Sequence, residues 1–295
     1  MKRNDFKDPF EGKRGCYLLS SSHLLSQRIF RSEADFVFGV NTLAILLPGS
    51  NVMLIAYCLM DNHIHLLLVG KYNDCLEYYD KVIHRLSQML KTRYGLSGIL
   101  KRDDVDIQAV TDDRQLKNEI CYLHRNPYKA RIASPVSYPW SSEDQFFHLY
   151  QPVGKKVSML SKKEQERLFQ THLSVPGEYE YLDGRILNKS FVSASKAIGK
   201  FRDSVEYFDL LRRYALESEV EETHGYHETI VFNDSELQEK IDTICRLEFH
   251  ASSLASLDRK MLLRLARIAS QRFGAGQKQL SRLLGIGKED LDRFL

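Results

Sequence analysis

Two imidazoles separated by one aliphatic residue, His63-Ile64-His65, are the side chains of this sequence best suited to chemistry. Side chains at i and i+2 of an extended strand share a face, so both histidines point one way while Ile64 points into a core. Paired imidazoles on one face of a buried strand suit a divalent metal, which takes the neutral ring nitrogen as a ligand. Two histidines do not close a site, so the remainder must come from elsewhere in the chain. Tyr122 and Asn126 place a phenol and a carboxamide four residues apart on a predicted helix, about 5–6 Å apart at Cβ. Taken alone, that pair fits a core tyrosine better than a nucleophile beside a ligand.

The elements that would position these groups follow from hydrophobic period and punctuation. Residues 16–22 read as a strand. Ser32 caps a helix with early acids that runs to Pro48-Gly49. Val52 to Met60 and His63 to Val69 form a hairpin around Asp61-Asn62. A helix starts at Asn73-Asp74, with apolar positions from Leu76 to Leu90, and stops at Gly95. Its other face carries Lys81, His84, Arg85, Lys91 and Arg93, a pattern that fits a solvated face better than a DNA track. Ile99 to Val110 is an extended segment. The helix capped by Asp112-Asp113 is expected to end at Asn126, because Pro127 disfavours helix in the residue before it. Strands and helices in this order predict an α+β domain over 1–150, an antiparallel sheet with helices on one face, its end sealed by Trp140.

Composition changes beyond residue 150. Residues 151–234 read as a mixed linker and helical extension, with helical period over Val192 to Ala215 and an acidic run from Glu217 to Glu222. His224-Gly225-Tyr226-His227-Glu228 fits a surface turn better than a metal site. Residues 235–295 are helical and basic, with eleven Lys and Arg against six Asp and Glu from Lys240 to Leu295. A helix over Asp258 to Phe273, the turn Gly274-Ala275-Gly276, a second helix and a last one from Lys288 make a pattern shared by helix-turn-helix DNA readers and three-helix packing modules alike.

With 43% apolar and 27% charged residues, the 295-residue chain has the composition of a soluble protein with a real core. A net charge of +3 proves no polyanionic partner, although 42 Lys and Arg leave room for a local basic surface. Five widely spaced cysteines without a Cys-x-x-Cys pair argue against a disulfide framework or zinc knuckle. No apolar segment is long enough for a signal peptide or membrane span, and a cytoplasmic location is expected.

Three ordered segments resemble one family. Tyr57-Cys58-Leu59-Met60-Asp61-Asn62-His63-Ile64-His65-Leu66-Leu67-Leu68 is similar to the Met-Pro-Asn-His-Val-His-Leu-Leu region of the IS200-like transposases, the Y1 branch of the His-hydrophobe-His (HUH) nucleases. Tyr122-Leu123-His124-Arg125-Asn126-Pro127-Tyr128-Lys129-Ala130 resembles that family's Tyr-Ile-His-x-Asn-Pro-Val-Arg-Ala segment, and Tyr138-Pro139-Trp140-Ser141-Ser142 its Tyr-Pro-Trp-Ser-Ser ending. Within it, the REP-associated tyrosine transposases are the subgroup most similar. Asp61 stands where the family commonly has Pro, and Lys129-Ala130-Arg131 replaces Arg-Ala-Gly.

The resemblance implies a ferredoxin-like sheet and a Mg²⁺ or Mn²⁺ ion held by His63, His65 and Asn126, with Tyr122 as nucleophile. It further implies single-stranded or hairpin DNA as substrate, cleavage and rejoining through a 5′-phosphotyrosine, and a homodimer as a possible assembly. Lys101, Arg102, Arg125, Lys129 and Arg131 flank the implied site and suit phosphates, while Arg264, Arg267, Lys278 and Arg282 would serve the C-terminal segment. Tyr17, Tyr57, Tyr94 and Tyr128 are candidates to stack on bases, with core packing the competing role of each. Two other readings stay open: a non-cleaving hairpin- or sequence-specific DNA-binding regulator, and a metal hydrolase of another substrate.

Overall fold

The computed structural model describes every residue except 4, 22–27, 131, 217–233, 250, 252–253, 274, 276, 288–289 and 292–295. Its first part runs β1 (Arg14–Ser21), α1 (Glu33–Leu46), β2 (Met53–Leu59), β3 (Ile64–Lys71), α2 (Tyr72–Tyr94), β4 (Val105–Val110) and α3 (Asp113–Lys129). The strands lie in the order β2-β3-β1-β4 and every neighbouring pair is antiparallel, the ferredoxin-like arrangement of a βαββαβ chain.

The register decides what each face meets. Ser20 lies opposite both His65 and Asp106, and Leu18 opposite Leu67 and Gln108, so these residues share one face. Tyr17, Leu19, Leu66 and Leu68 share the other. That second face takes α2: the Tyr17 and Tyr72 rings are 5.7 Å apart, and Gly70 lies against Cys75, where a Cβ would come within 3.1 Å of the thiol. The histidine face takes α3, through Gln108 donating to Glu119 at 2.6 Å. Helices therefore flank the sheet on both sides, and the continuous apolar run of β3 reflects burial on both. Bulging β2 at Ile55 shifts its register between Leu54 and Ala56.

Two expected boundaries move. β4 begins at Val105, because residues 101–104 close a turn in which the Asp104 amide donates to the Lys101 carbonyl. α3 does not stop at Asn126 but continues through a buried Pro127 to Lys129. A proline this near a helix end forfeits little, and the following turn is closed by the Ala130 amide on Asn126 and the Ile132 amide on Pro127. Trp140 stacks on Phe36 at 5.0 Å, and its carbonyl accepts from the Leu59 amide, which closes the open end of β2.

One buried carboxylate joins α1 to the end of α2. Asp35 accepts from the Arg31 and Ser32 amides, from Tyr94 Oη at 2.6 Å and from Arg93 at 2.5 Å. Burial pushes its pKa up, but the Tyr94, Arg31 and Arg93 hydrogen bonds outweigh it and hold the carboxyl below its usual value. Asp35→Ala leaves the Arg93 guanidinium without this acceptor and is expected to cost about 3–5 kcal/mol in a denaturant titration. A folded-state pKa below the unfolded one stabilises above about pH 4 and is lost as pH falls below it, so the wild-type advantage over the variant should shrink in acid.

Residues 151–216 do not form a separate linker. They carry α4 (Lys162–Phe169), a small sheet of β5 (Lys155–Lys156), β6 (Glu180–Leu182) and β7 (Arg185–Ile186), α5 (Ser195–Ile198) and α6 (Ser204–Leu216). All pack into the same compact unit as the first 150 residues. The attachments are specific: Asn41 bonds the Gly184 carbonyl and the Ile186 amide, and Tyr57 Oη donates to Asn188 at 2.6 Å. A second unit comprises α7 (Asp234–Glu248), α8 (Arg259–Phe273) and α9 (Gln277–Leu284) around Leu237, Ile241, Leu265, Ala269, Leu280 and Leu291. Gly285 ends α9 at φ +66°, a left-handed conformation that favours glycine. Only Asp290 and Leu291 of the expected last helix are described, and both are helical. The Glu217–Glu222 run and the His224–Glu228 cluster fall outside the described residues. Among the described residues, no helix is long and apolar enough to cross a membrane.

Candidate functional site

The histidine face of the sheet and the inner face of α3 together build the candidate site. His63 precedes β3 and His65 is its second residue, their rings 4.7 Å apart and nearly perpendicular. Both are buried. His63 Nδ1 lies 2.7 Å from Asn62 Oδ1, an acceptor only, so Nδ1 carries the proton and Nε2 the lone pair. His65 Nδ1 meets the Ser20 hydroxyl at 2.7 Å, which orients that ring as well.

Tyr122 comes to this pair from α3. Its ring is 5.9 Å from that of His65 at an interplanar angle of 80°, and the buried Arg125 guanidinium lies 5.2 Å over its face. Asn126, one turn on, is wholly buried, and neither Oδ1 nor Nδ2 makes a hydrogen bond. A buried carboxamide without partners costs roughly 1–3 kcal/mol and calls for a ligand. Among the described residues no three His, Cys, Asp or Glu side chains gather as a metal site. Two imidazoles and one amide oxygen are a donor set that could hold a divalent metal with positions left open for other ligands.

Asp61 supports the turn before the histidines in two ways. Its carbonyl accepts from the Ile29 and Phe30 amides, and its carboxylate pairs with Arg28 Nε at 3.2 Å. The carbonyl contacts, which any residue would make, and the carboxylate pair, which needs this side chain, tie the His63 turn to the segment entering α1.

The other expected contacts divide. Lys129 is half-buried in the last turn of α3, and Lys101 and Arg102 are exposed in the turn before β4, at the end of the sheet that holds the histidines. Arg131 lies outside the described residues. Arg264, Arg267 and Arg282 are exposed on the second unit; Lys278 belongs to α9, its side chain outside the described residues. Of the four tyrosines considered for base stacking, Tyr17 and Tyr57 are fully buried and Tyr94 is held by Asp35, so Tyr128, 45% exposed, alone presents a wide ring surface.

Sequence reasoning missed a polar network behind the site. His124, wholly buried on α3, has Nδ1 3.0 Å from Tyr207 Oη and Nε2 2.9 Å from Ser142 Oγ. Tyr207 Oη donates to Glu143 at 3.3 Å, and Glu143 meets His148 Nε2 at 2.8 Å. Burial lowers the His124 pKa to about 3 and raises that of Glu143 to about 7. Glu119, on the Gln108 side of α3, is raised by burial to about 6. His124 and Ser142 stood inside recognised segments; nothing in the pattern around Tyr207 marked it.

No family model matches the chain, and no curated protein does. Among solved structures, it is similar to the REP-associated tyrosine transposase bound to a REP hairpin, at 14% identity and a TM-score of 0.38, over 47% of this chain and 82% of that one.

Proposed function

We propose that the chain is a metal-dependent single-strand DNA endonuclease and strand-transferase of the Y1 HUH type, a transposase acting on hairpin or palindromic DNA. The observation that supports this reading best is the Tyr122 ring beside His65, reached from a helix 57 residues downstream. His63, His65 and Asn126 would hold Mg²⁺ or Mn²⁺, which when bound supplies polarisation of the scissile phosphate oxygens. Tyr122 then attacks phosphorus: a P–O bond to the phenol oxygen forms, the bond to the 3′ oxygen breaks, the phenol proton is lost and the 3′ oxygen gains one. The product is a 5′-phosphotyrosine with a free 3′-OH. Because one phosphoester replaces another, a second 3′-OH can reverse the step and join strands. Lys129, half-buried in the last turn of α3, would supply positive charge for the phosphate backbone, whereas Arg125, buried over the Tyr122 ring, is not placed to reach it.

Incubation with a labelled hairpin oligonucleotide and Mn²⁺ should give a protein–DNA band that survives SDS, disappears on protease treatment and is absent with EDTA. Metal-independent gel shifts with no nicked product would favour the DNA-binding regulator. In either reading, the exposed arginines of the C-terminal unit, together with its glycine turn after α9, fit a helical module that contacts duplex phosphates.

A further inference from the structure

The recognised segments around Tyr57, Tyr122 and Trp140 are far apart in sequence, yet one buried path joins them. Ser142 Oγ accepts from the Tyr57 amide at 2.9 Å, and the Ser142 amide donates to the Tyr57 carbonyl at 3.0 Å. Tyr57 belongs to β2, and the next residue, Cys58, lies opposite His65 in β3. From the other side, Ser142 Oγ meets His124 Nε2 two residues after Tyr122. The path therefore runs from the nucleophile's helix, through one imidazole and one hydroxyl, to the strand beside the metal-site histidine.

α6 braces the same imidazole from behind. Tyr207, fully buried, meets His124 Nδ1; one residue earlier, Glu206 pairs with Lys117 of α3 at 2.5 Å. Tyr207 O–H donates to Glu143, and both His124 ring nitrogens are engaged, Nε2 by the Ser142 hydroxyl and Nδ1 by the Tyr207 hydroxyl. His124 has no access to solvent.

We infer that His124 is a positioning residue: with Ser142 it forms a strut that fixes the distance between Tyr122 on α3 and His65 on β3, and Tyr207 locks the strut from α6. This inference rests on the reading of Tyr122 as nucleophile. Other packing holds α3 on the sheet, including Gln108 to Glu119, so loss of the strut shifts the helix without releasing it. A displacement of about 1 Å at a reacting group costs on the order of 100-fold in rate.

The test uses the full chain with His124→Phe, which keeps a ring in the cavity but neither hydrogen bond, Ser142→Ala and the double variant. The expected result is a 10–100-fold fall in the single-turnover rate of adduct formation, with hairpin Kd unchanged. The double variant should be no slower than the slower single one, because both remove the same strut. Tyr207→Phe keeps the stack of this ring on Phe146, 5.7 Å away, and should give a smaller fall. In parallel, the NOE between the His65 and Tyr122 rings should weaken in each variant whose circular dichroism matches wild type.

Unchanged rates per folded molecule and an unchanged NOE would overturn the strut while leaving Tyr122 as nucleophile; additive losses would do the same. A wild-type protein that forms no adduct, but whose NOE still depends on His124, would keep the strut and remove the nucleophile assignment. Should His124→Phe fail to fold, Ser142→Ala and Tyr207→Phe carry the same comparison.

Discussion

Tyr122→Phe is expected to abolish the covalent protein–DNA adduct, by about 10⁴-fold or more, the scale seen when a covalent nucleophile is removed. The change deletes one oxygen and nothing else. The phenylalanine ring keeps the perpendicular contact with His65 at 5.9 Å and the Arg125 guanidinium over its face, so α3 retains its seat. Tyr122 is only half-buried, and removing its hydroxyl should alter the denaturation midpoint by less than about 1 kcal/mol. Hairpin binding should survive, since Lys129 of α3 and Lys101 and Arg102 of the turn before β4 are untouched. Native gel shift and denaturing electrophoresis of one sample separate the two effects. Undiminished adduct from the variant would move the nucleophile to another residue and end the Y1 assignment.

The sheet was legible because its evidence is local. Strand period, the Asp61-Asn62 turn and the two helix starts lie within short windows, and the βαββ order leaves few antiparallel sheets. The pairing of His63 with His65 followed from the strand period alone. Bringing Tyr122 to them did not, since an i,i+4 relation with Asn126 places both on a helix face but cannot say which sheet face the helix covers. That depends on α3 crossing to the side opposite α2, a tertiary choice visible only in the register of Ser20, His65 and Asp106.

The end of α3 was misplaced because a local rule about the residue before proline lost to burial. Asn126 and Pro127 are both buried, and the helix continues around them. The extension over 151–216 was illegible for another reason. Its attachments are single polar side chains on backbone groups, such as Asn41 with Gly184 and Ile186, and these have no period to detect. A compositional break at 150 marked a change of surface and not of compact unit.

Asn62 and Ser20 hold the two imidazoles from behind, and they order the next result. His65→Ala removes a proposed donor and should reduce Mn²⁺ binding, followed calorimetrically or by electron paramagnetic resonance, below detection, with adduct formation lost alongside. Asn62→Ala leaves both imidazoles but removes the acceptor that fixes Nδ1–H on His63 at 2.7 Å. Loss of such an outer partner costs roughly 10–100-fold in metal affinity, so this variant should bind more weakly yet recover activity at higher Mn²⁺. His65→Ala should not recover at any concentration. Equal Mn²⁺ affinity in wild type, His65→Ala and Asn62→Ala would show that the paired histidines serve packing alone. The buried Asn126 carboxamide, which has no hydrogen-bond partner within the chain, would then need another partner.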